Sequence, residues 1–255
     1  MSQPPSYEET TSNGKYQRLY QEEDGETYSD DNLGFLNKPA RLSFIRKVYG
    51  ILSIQLLFTT LTCILFMSVD SVKNFIQGPN GHILLLTSIL GTFIVMFALM
   101  CCNLSRKYPH NLLCLSLFTV FNSYMLGVVT SYSNTNAVIL AAGATCVVTF
   151  SLTMYSILTR RDFTVMGGSL FTLLIILIFM GIASIFIHNQ IYDLVYSGFG
   201  ALLFSVYIIY DTQLIIGGKN RKYQISPDDY VLAALTLYLD IINLFLYILS
   251  LIDRR

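Results

Sequence analysis

Charge is scarce in this chain: 13% of its 255 residues are Asp, Glu, Lys or Arg, against 53% hydrophobic residues, a balance that excludes an ordinary water-soluble enzyme. The sixteen basic and sixteen acidic side chains cancel, but residues 1–40 hold eight acids and three bases, leaving eight acids and thirteen bases in residues 41–255. Those bases sit in short clusters between apolar runs rather than along one face, so nucleic acid is excluded as a partner and a lipid bilayer is the expected one. Cysteine is limited to five residues, Cys63, Cys101, Cys102, Cys114 and Cys146, with no CxxC spacing. They read as small apolar side chains, not as a disulfide framework or a zinc site. The three histidines, His82, His110 and His188, are scattered at helix ends and loops and read as interfacial side chains. No internal repeat is evident, and the short loops leave no room for a catalytic domain outside the membrane. About forty polar residues precede the first apolar run, which argues against a cleavable signal peptide.

What the chain has in abundance is long apolar runs. Residues 1–40, rich in Ser, Glu, Asp, Gln, Asn and Tyr, cannot bury enough apolar surface to offset ordering entropy and are expected to form a disordered cytosolic tail. Seven runs follow, at 45–67, 83–102, 112–132, 137–158, 165–187, 194–216 and 230–252. About twenty residues at 1.5 Å rise cross a hydrocarbon core of roughly 30 Å, and the backbone there must satisfy its own hydrogen bonds, so each run is predicted to be a spanning helix. The expected fold is an all-α integral membrane protein, a seven-helix bundle over residues 41–255. The first run is the most polar, with Ser53, Gln55, Thr59, Thr60 and Thr62, and is expected to face the interior.

Lys and Arg beside the helix ends set the orientation. With the N-terminus in the cytosol, the cytosolic flanks carry eleven bases (Lys38, Arg41, Arg46, Lys47, Arg106, Lys107, Arg160, Arg161, Lys219, Arg221, Lys222), against three on the other side (Lys73, Arg254, Arg255). A re-entrant last segment would improve that count. It is rejected because Ser226 suits an N-cap, Pro227 the first helical position and Asp229 a capping box, and neither Gly nor Pro interrupts residues 228–252. The sequon Asn103-Leu104-Ser105 then lies in the cytosol and stays unmodified.

Two ionisable side chains lie well inside a run, Asp211 in the sixth and Asp240 in the seventh. A carboxylate at such depth costs several kcal/mol and marks an ion pathway or a proton relay. Asp211 is five residues from the end of its run and Asp240 ten from the start of its own, so both are expected in the cytosolic half, roughly 8 and 15 Å deep. Thr236, Asp240, Asn243, Tyr247 and Ser250 recur at helical spacing and form a polar seam. On the sixth run Gly200, Phe204, Tyr207 and Asp211 form one stripe, beside the small residues Ser197, Ala201 and Ser205. Two carboxyls brought together are expected to share a proton or to bind a cation in its place. Calcium takes six to eight oxygens and the pair offers at most four, so the metal site formed by Asp211 and Asp240 is expected to be weak and transient, as conduction requires. Pairing for stability alone is the competing explanation. In the tail, Pro4-Pro5-Ser6-Tyr7 is similar to the PPxY ligand of WW domains, with Pro4, Pro5 and Tyr7 as the contact residues.

Gly200-Ala201-Leu202-Leu203-Phe204, Ile208-Ile209-Tyr210-Asp211-Thr212-Gln213 and Ser226-Pro227-Asp228-Asp229-Tyr230, running into Ala233-Ala234-Leu235-Thr236-Leu237-Tyr238-Leu239-Asp240-Ile241-Ile242-Asn243-Leu244-Phe245, resemble the Bax inhibitor family of transmembrane proteins. Phe44-Ile45-Arg46-Lys47-Val48-Tyr49 and Lys107-Tyr108-Pro109 extend the likeness to its Golgi anti-apoptotic and Lifeguard branch, over about residues 41–252. The resemblance implies seven helices, a pH-sensitive calcium leak from internal stores with no cofactor beyond the permeant ion, and suppression of apoptosis. It places the family's paired aspartates at Asp211 and Asp240. It also implies a Golgi or endoplasmic reticulum location, or another endomembrane such as a vacuole, and cell-death regulators as partners. Relatives often carry an acid on the third helix where this chain has Asn122, which is therefore expected to line the pathway. Bacterial members carry an arginine on the second helix, where residues 83–102 hold no charge. The acid opening the sixth helix is kept as Asp193, the candidate for a lumenal mouth.

Two other readings remain open on the sequence. One is a membrane scaffold that recruits cell-death or ubiquitin machinery through its tail. The other is an intramembrane aspartyl protease built on Asp211 and Asp240, although the Gly-x-Gly-Asp and Pro-Ala-Leu signatures of presenilin-type proteases are missing. The orientation is directly testable by glycosylation mapping. Acceptor sites inserted into residues 1–40 should stay unmodified, and one appended after the seventh helix should be glycosylated; the reverse pattern removes the assignment.

Overall fold

The computed structural model describes residues 30–101, 108–187, 189–218 and 220–253. Among them there is no strand, and seven helices are long and apolar enough to cross a membrane. The first span belongs to α1 (Asp30–Ser68). A short α2 (Asp70–Gln77) links it to the second span, α3 (Pro79–Cys101). The remaining spans are α4 (His110–Tyr132), α5 (Thr135–Leu158), α6 (Gly167–Ser184), α7 (Gln190–Ile216) and α8 (Tyr230–Ile252).

Several boundaries differ from the sequence expectation. The chain divides into units of residues 1–40 and 41–255, but α1 starts at Asp30, so the expected tail boundary at residue 40 falls inside a helix that also contains Pro39. Pro4, Pro5 and Tyr7, and the sequon at 103–105, lie outside the described residues. The eight-residue α2 went unforeseen, being too short and too mixed in polarity to register as a run; its Ile76 is buried with Phe66 and Val128. The last span is one continuous helix of 23 residues, entered through a 3₁₀ turn (Pro227–Asp229) that Ser226 caps by accepting from the Asp228 N–H.

Lipid tails are as apolar as leucine, so burial alone does not hold spanning helices together; close packing and hydrogen bonds do. The α7–α8 pair is the centre of the bundle and contains its most buried spans. Helix α5 packs on both, α4 on α3 and α8, and α6 on α7. Of the five polar residues expected to turn α1 inward, only Gln55 and Thr59 are buried. Gln55 donates to the Thr119 hydroxyl at 2.8 Å, and Thr59 hydrogen-bonds Ser123 and Tyr238, each at 2.9 Å. Ser53, Thr60 and Thr62 instead donate to the carbonyls of Tyr49, Leu56 and Phe58 in their own helix, which removes the need for an interior partner. Among the cysteines, Cys63 is buried, Cys114 half-buried and Cys146 exposed, all free.

At the end of the bundle where α7 finishes, arginines satisfy carbonyls that helix termini leave orphaned. Arg41 donates to Leu214 O at 2.7 Å, Ile216 O at 3.2 Å and Ile225 O at 2.7 Å, closing the last turn of α7 from α1. Gly217 turns the chain there at φ +61°; a Cβ at this position would lie 2.4 Å from Gln224 Oε1 and 2.9 Å from Arg41 Nη2. Arg221 caps α5 in the same way, donating to Thr159 O at 2.8 Å, Ser156 O at 3.2 Å and Arg161 O. Asp162 accepts from the backbone N–H and hydroxyl of Thr164 and from the Lys222 N–H, at 2.7–2.9 Å. Slight burial would raise its pKa, but these hydrogen bonds and the charge of Arg221 outweigh that and hold the carboxyl below its ordinary value. Its contribution to the loop contact is thus present above the ordinary Asp range and lost as pH falls through the lowered value.

Replacing Arg41 by alanine removes the side-chain donor from the Ile216 and Ile225 carbonyls and one of two donors from Leu214 O, an expected loss of about 2 kcal/mol read as reduced thermal stability in detergent. A melting curve unchanged in Arg41→Ala would show that the cap is dispensable.

Candidate functional site

The spacing that made α8 look polar on one face does place that face on a cavity. Thr236, Asp240, Asn243 and Tyr247 line it from α8, and Tyr196, Phe204, Tyr207 and Asp211 line it from α7. Small residues bring the two helices together. Ser197 and Ser250 share a hydrogen bond of 2.8 Å, and Gly200 lies directly beneath the Tyr247 ring, where an added Cβ would come within 2.5 Å of it. The ring stacks on Phe204 with centroids 5.8 Å apart, and its hydroxyl meets that of Tyr196 at 3.1 Å. Sequence spacing had already put Gly200, Phe204, Tyr207 and Asp211 on one stripe. It missed Tyr196, which continues that stripe four residues earlier.

Asp211 and Asp240 come together at the floor of this cavity. Both are buried, at 6% and 5% exposure, and their carboxyls lie within reach of each other, with Thr236, whose hydroxyl donates to Ala233 O at 3.3 Å, beside Asp211. Two carboxylates this close repel one another, so the state with both groups ionised is disfavoured. Asp240 Oδ2 is buried without a hydrogen-bond partner. Asp211 stands five residues before the end of α7 and Asp240 ten after the start of α8, about 8 and 15 Å along their own helices from those ends.

The cavity measures 640 Å³, and its third wall is α6, through Leu174, Leu177, Ile178, Gly181, Ile182 and Ile185. Helix α6 packs along α7 but makes no extended contact with α8, and the space between them is the cavity. Two glycines let α6 approach the tyrosines of α7. A Cβ on Gly167 would lie 2.7 Å from the Tyr210 hydroxyl, and one on Gly181 2.8 Å from that of Tyr196. The other residues singled out from sequence lie elsewhere. Asn122 is buried on α4, donating to Phe118 O at 2.9 Å, and does not line this cavity; the Asn amide finds its acceptor within its own helix. Asp193 is an exposed acid in the first turn of α7, where it complements the helix dipole, and is also outside the cavity. Among the described residues no three His, Cys, Asp or Glu side chains are grouped as a metal site would need.

Comparison with known proteins adds to this geometry. A family model described as inhibitor of apoptosis-promoting Bax1 matches residues 41–255. The Golgi anti-apoptotic proteins of Vaccinia virus strains Lister, LC16m0 and LC16m8 are each 42% identical over 214 residues, covering 84% of this chain and 86% of the viral protein.

The close approach at Gly200 gives a specific test. Gly200→Val drives a side chain into the Tyr247 ring and should destabilise the protein by about 2 kcal/mol, with most of the loss recovered in Gly200→Val/Tyr247→Ala. Additive losses in thermal unfolding of the double variant would mean that the two residues are not in contact.

Proposed function

The chain belongs to the Bax inhibitor family, and from that premise and the geometry of the Asp211–Asp240 pair we propose that it is a passive, pH-sensitive calcium leak of a Golgi or endoplasmic reticulum membrane, with its N-terminus in the cytosol. By lowering store calcium it suppresses apoptosis, in keeping with the name carried by its viral relatives. One observation carries the reading: two buried carboxyls from adjacent spans meet at the floor of a membrane-depth cavity, and one of their oxygens has no partner. A fixed structural pair would be better replaced by apolar side chains, which pack without the desolvation cost. A pair with a spare oxygen instead exchanges its proton for a cation.

The two carboxyls supply at most four oxygens, fewer than the six to eight of a tight calcium site, so the ion binds weakly enough to leave. Proton and calcium compete for the same oxygens. Calcium affinity at the pair therefore falls as pH falls, because protonation removes ligand charge. Tyr207 narrows the cavity beside the pair, and the Tyr247–Phe204–Tyr196 cluster lies further along α7 and α8, away from the Arg41-capped end.

The Pro4-Pro5-Ser6-Tyr7 sequence favours a second reading, a scaffold acting through its tail on a WW-domain protein or on cell-death machinery. Deleting residues 1–29, which leaves α1 whole, separates the two: a leak keeps its flux, and a scaffold loses its protective effect.

In proteoliposomes, Asp211→Asn and Asp240→Asn should each lower calcium flux several-fold and flatten its pH response, since each removes the charge for which proton and calcium compete. Unchanged flux and unchanged pH response in both variants would remove the mechanism.

A further inference from the structure

The cavity between α6, α7 and α8 has more room, and more apolar wall, than a metal ion uses. Its 640 Å³ falls within the roughly 300–1,000 Å³ of small-molecule sites. One side is aliphatic, from Leu174, Ile178 and Ile182; the other carries the rings of Phe204, Tyr207 and Tyr247; the floor is the carboxyl pair. Among the described residues no Lys, Arg or His lines it, so no basic side chain in the cavity is placed to pair with either carboxyl. Asp240 Oδ2 lacks a donor, and a carboxyl turns about its last torsion at little cost, so this oxygen can meet a donor brought in from outside.

A protonated amine answers each of these features. Its N–H groups and charge suit the carboxyl pair, the aromatic faces attract an organic cation, and an attached hydrocarbon chain packs against α6. An aliphatic wall offers a bare metal ion nothing. Entry is from the bilayer: α6 is the least buried span, and Ile178 and Ile182, which line the cavity, are also 55% and 50% exposed. The geometry points to a binding site for a lipid-soluble ammonium, an amphiphile whose amine sits on Asp211 and Asp240 and whose alkyl chain fills the cavity. The site goes beyond the calcium leak and stands without it.

The test is saturation binding of radiolabelled dodecylamine, protonated at neutral pH, to the full-length protein in phosphatidylcholine nanodiscs. Dodecan-1-ol and dodecanoate serve as competitors with the same chain and no positive charge. Saturable binding that neither competitor displaces is expected, weakened about tenfold or more by Asp240→Asn and lost in Ile178→Trp, which fills the cavity from the lipid side and leaves the pair intact. Equal affinity for the alcohol, or amine binding unchanged in both variants, overturns the site. Calcium flux is read separately: saturable amine binding without flux removes the leak and keeps the site, and flux without saturable amine binding does the reverse.

Discussion

Two carboxyl groups buried side by side on adjacent spans impose the constraint on which the rest of this bundle depends. A lone carboxylate at that depth is expensive, and two cannot both be ionised in contact. Asp211 and Asp240 therefore constrain each other, and α7 and α8 must stay close enough to keep them side by side. The small residues of α7 meet that demand. Ser197 bonds to Ser250, and Gly200 accepts the Tyr247 ring where any larger residue would push the helices apart. Because lipid already solvates apolar side chains, these close contacts do what hydrophobic burial does in water.

The cavity follows from the same packing. Helix α6 is drawn onto α7 at Gly167 and Gly181, against Tyr210 and Tyr196, and so stops short of α8. What remains open is bounded by the polar seam of α8, the aromatic stripe of α7 and the aliphatic side of α6. At the nearer end, the last turn of α7, which follows Asp211, is held by Arg41 of α1. Arg41 and Arg221 therefore have a structural role: each donates to carbonyls at the end of a helix. Arg46, Lys47, Arg160 and Lys222 remain exposed, and the Lys47 ammonium lies 3.2 Å from the centroid of the Tyr230 ring.

Family membership and the seven spans were legible because apolar length and an ordered C-terminal motif are local properties of the chain. The seam of Thr236, Asp240, Asn243 and Tyr247 was legible for the same reason, since helical spacing alone fixes which residues share a face. The polar first run misled, because composition does not distinguish a threonine that needs an interior partner from one that bonds back to its own helix. Thr59 and Thr60 both donate back to their own helix, and of the two Thr59 alone also meets interior hydroxyls, those of Ser123 and Tyr238. Asn122 was placed by analogy with an acid in relatives, and its amide is satisfied four residues back.

By itself the sequence determined how many times the chain crosses the membrane, which side chains carry charge at depth, and which face of α8 is polar. All of these depend on residues within one or two turns of each other. Only the tertiary structure decided that the two carboxyls lie side by side, that Tyr196, Phe204 and Tyr247 line the same cavity, and that α6 leaves that cavity beside them. Periodicity orients a side chain around its own helix axis; the identity of the helix it meets depends on how ridges and small residues fit between spans that the chain connects only through loops.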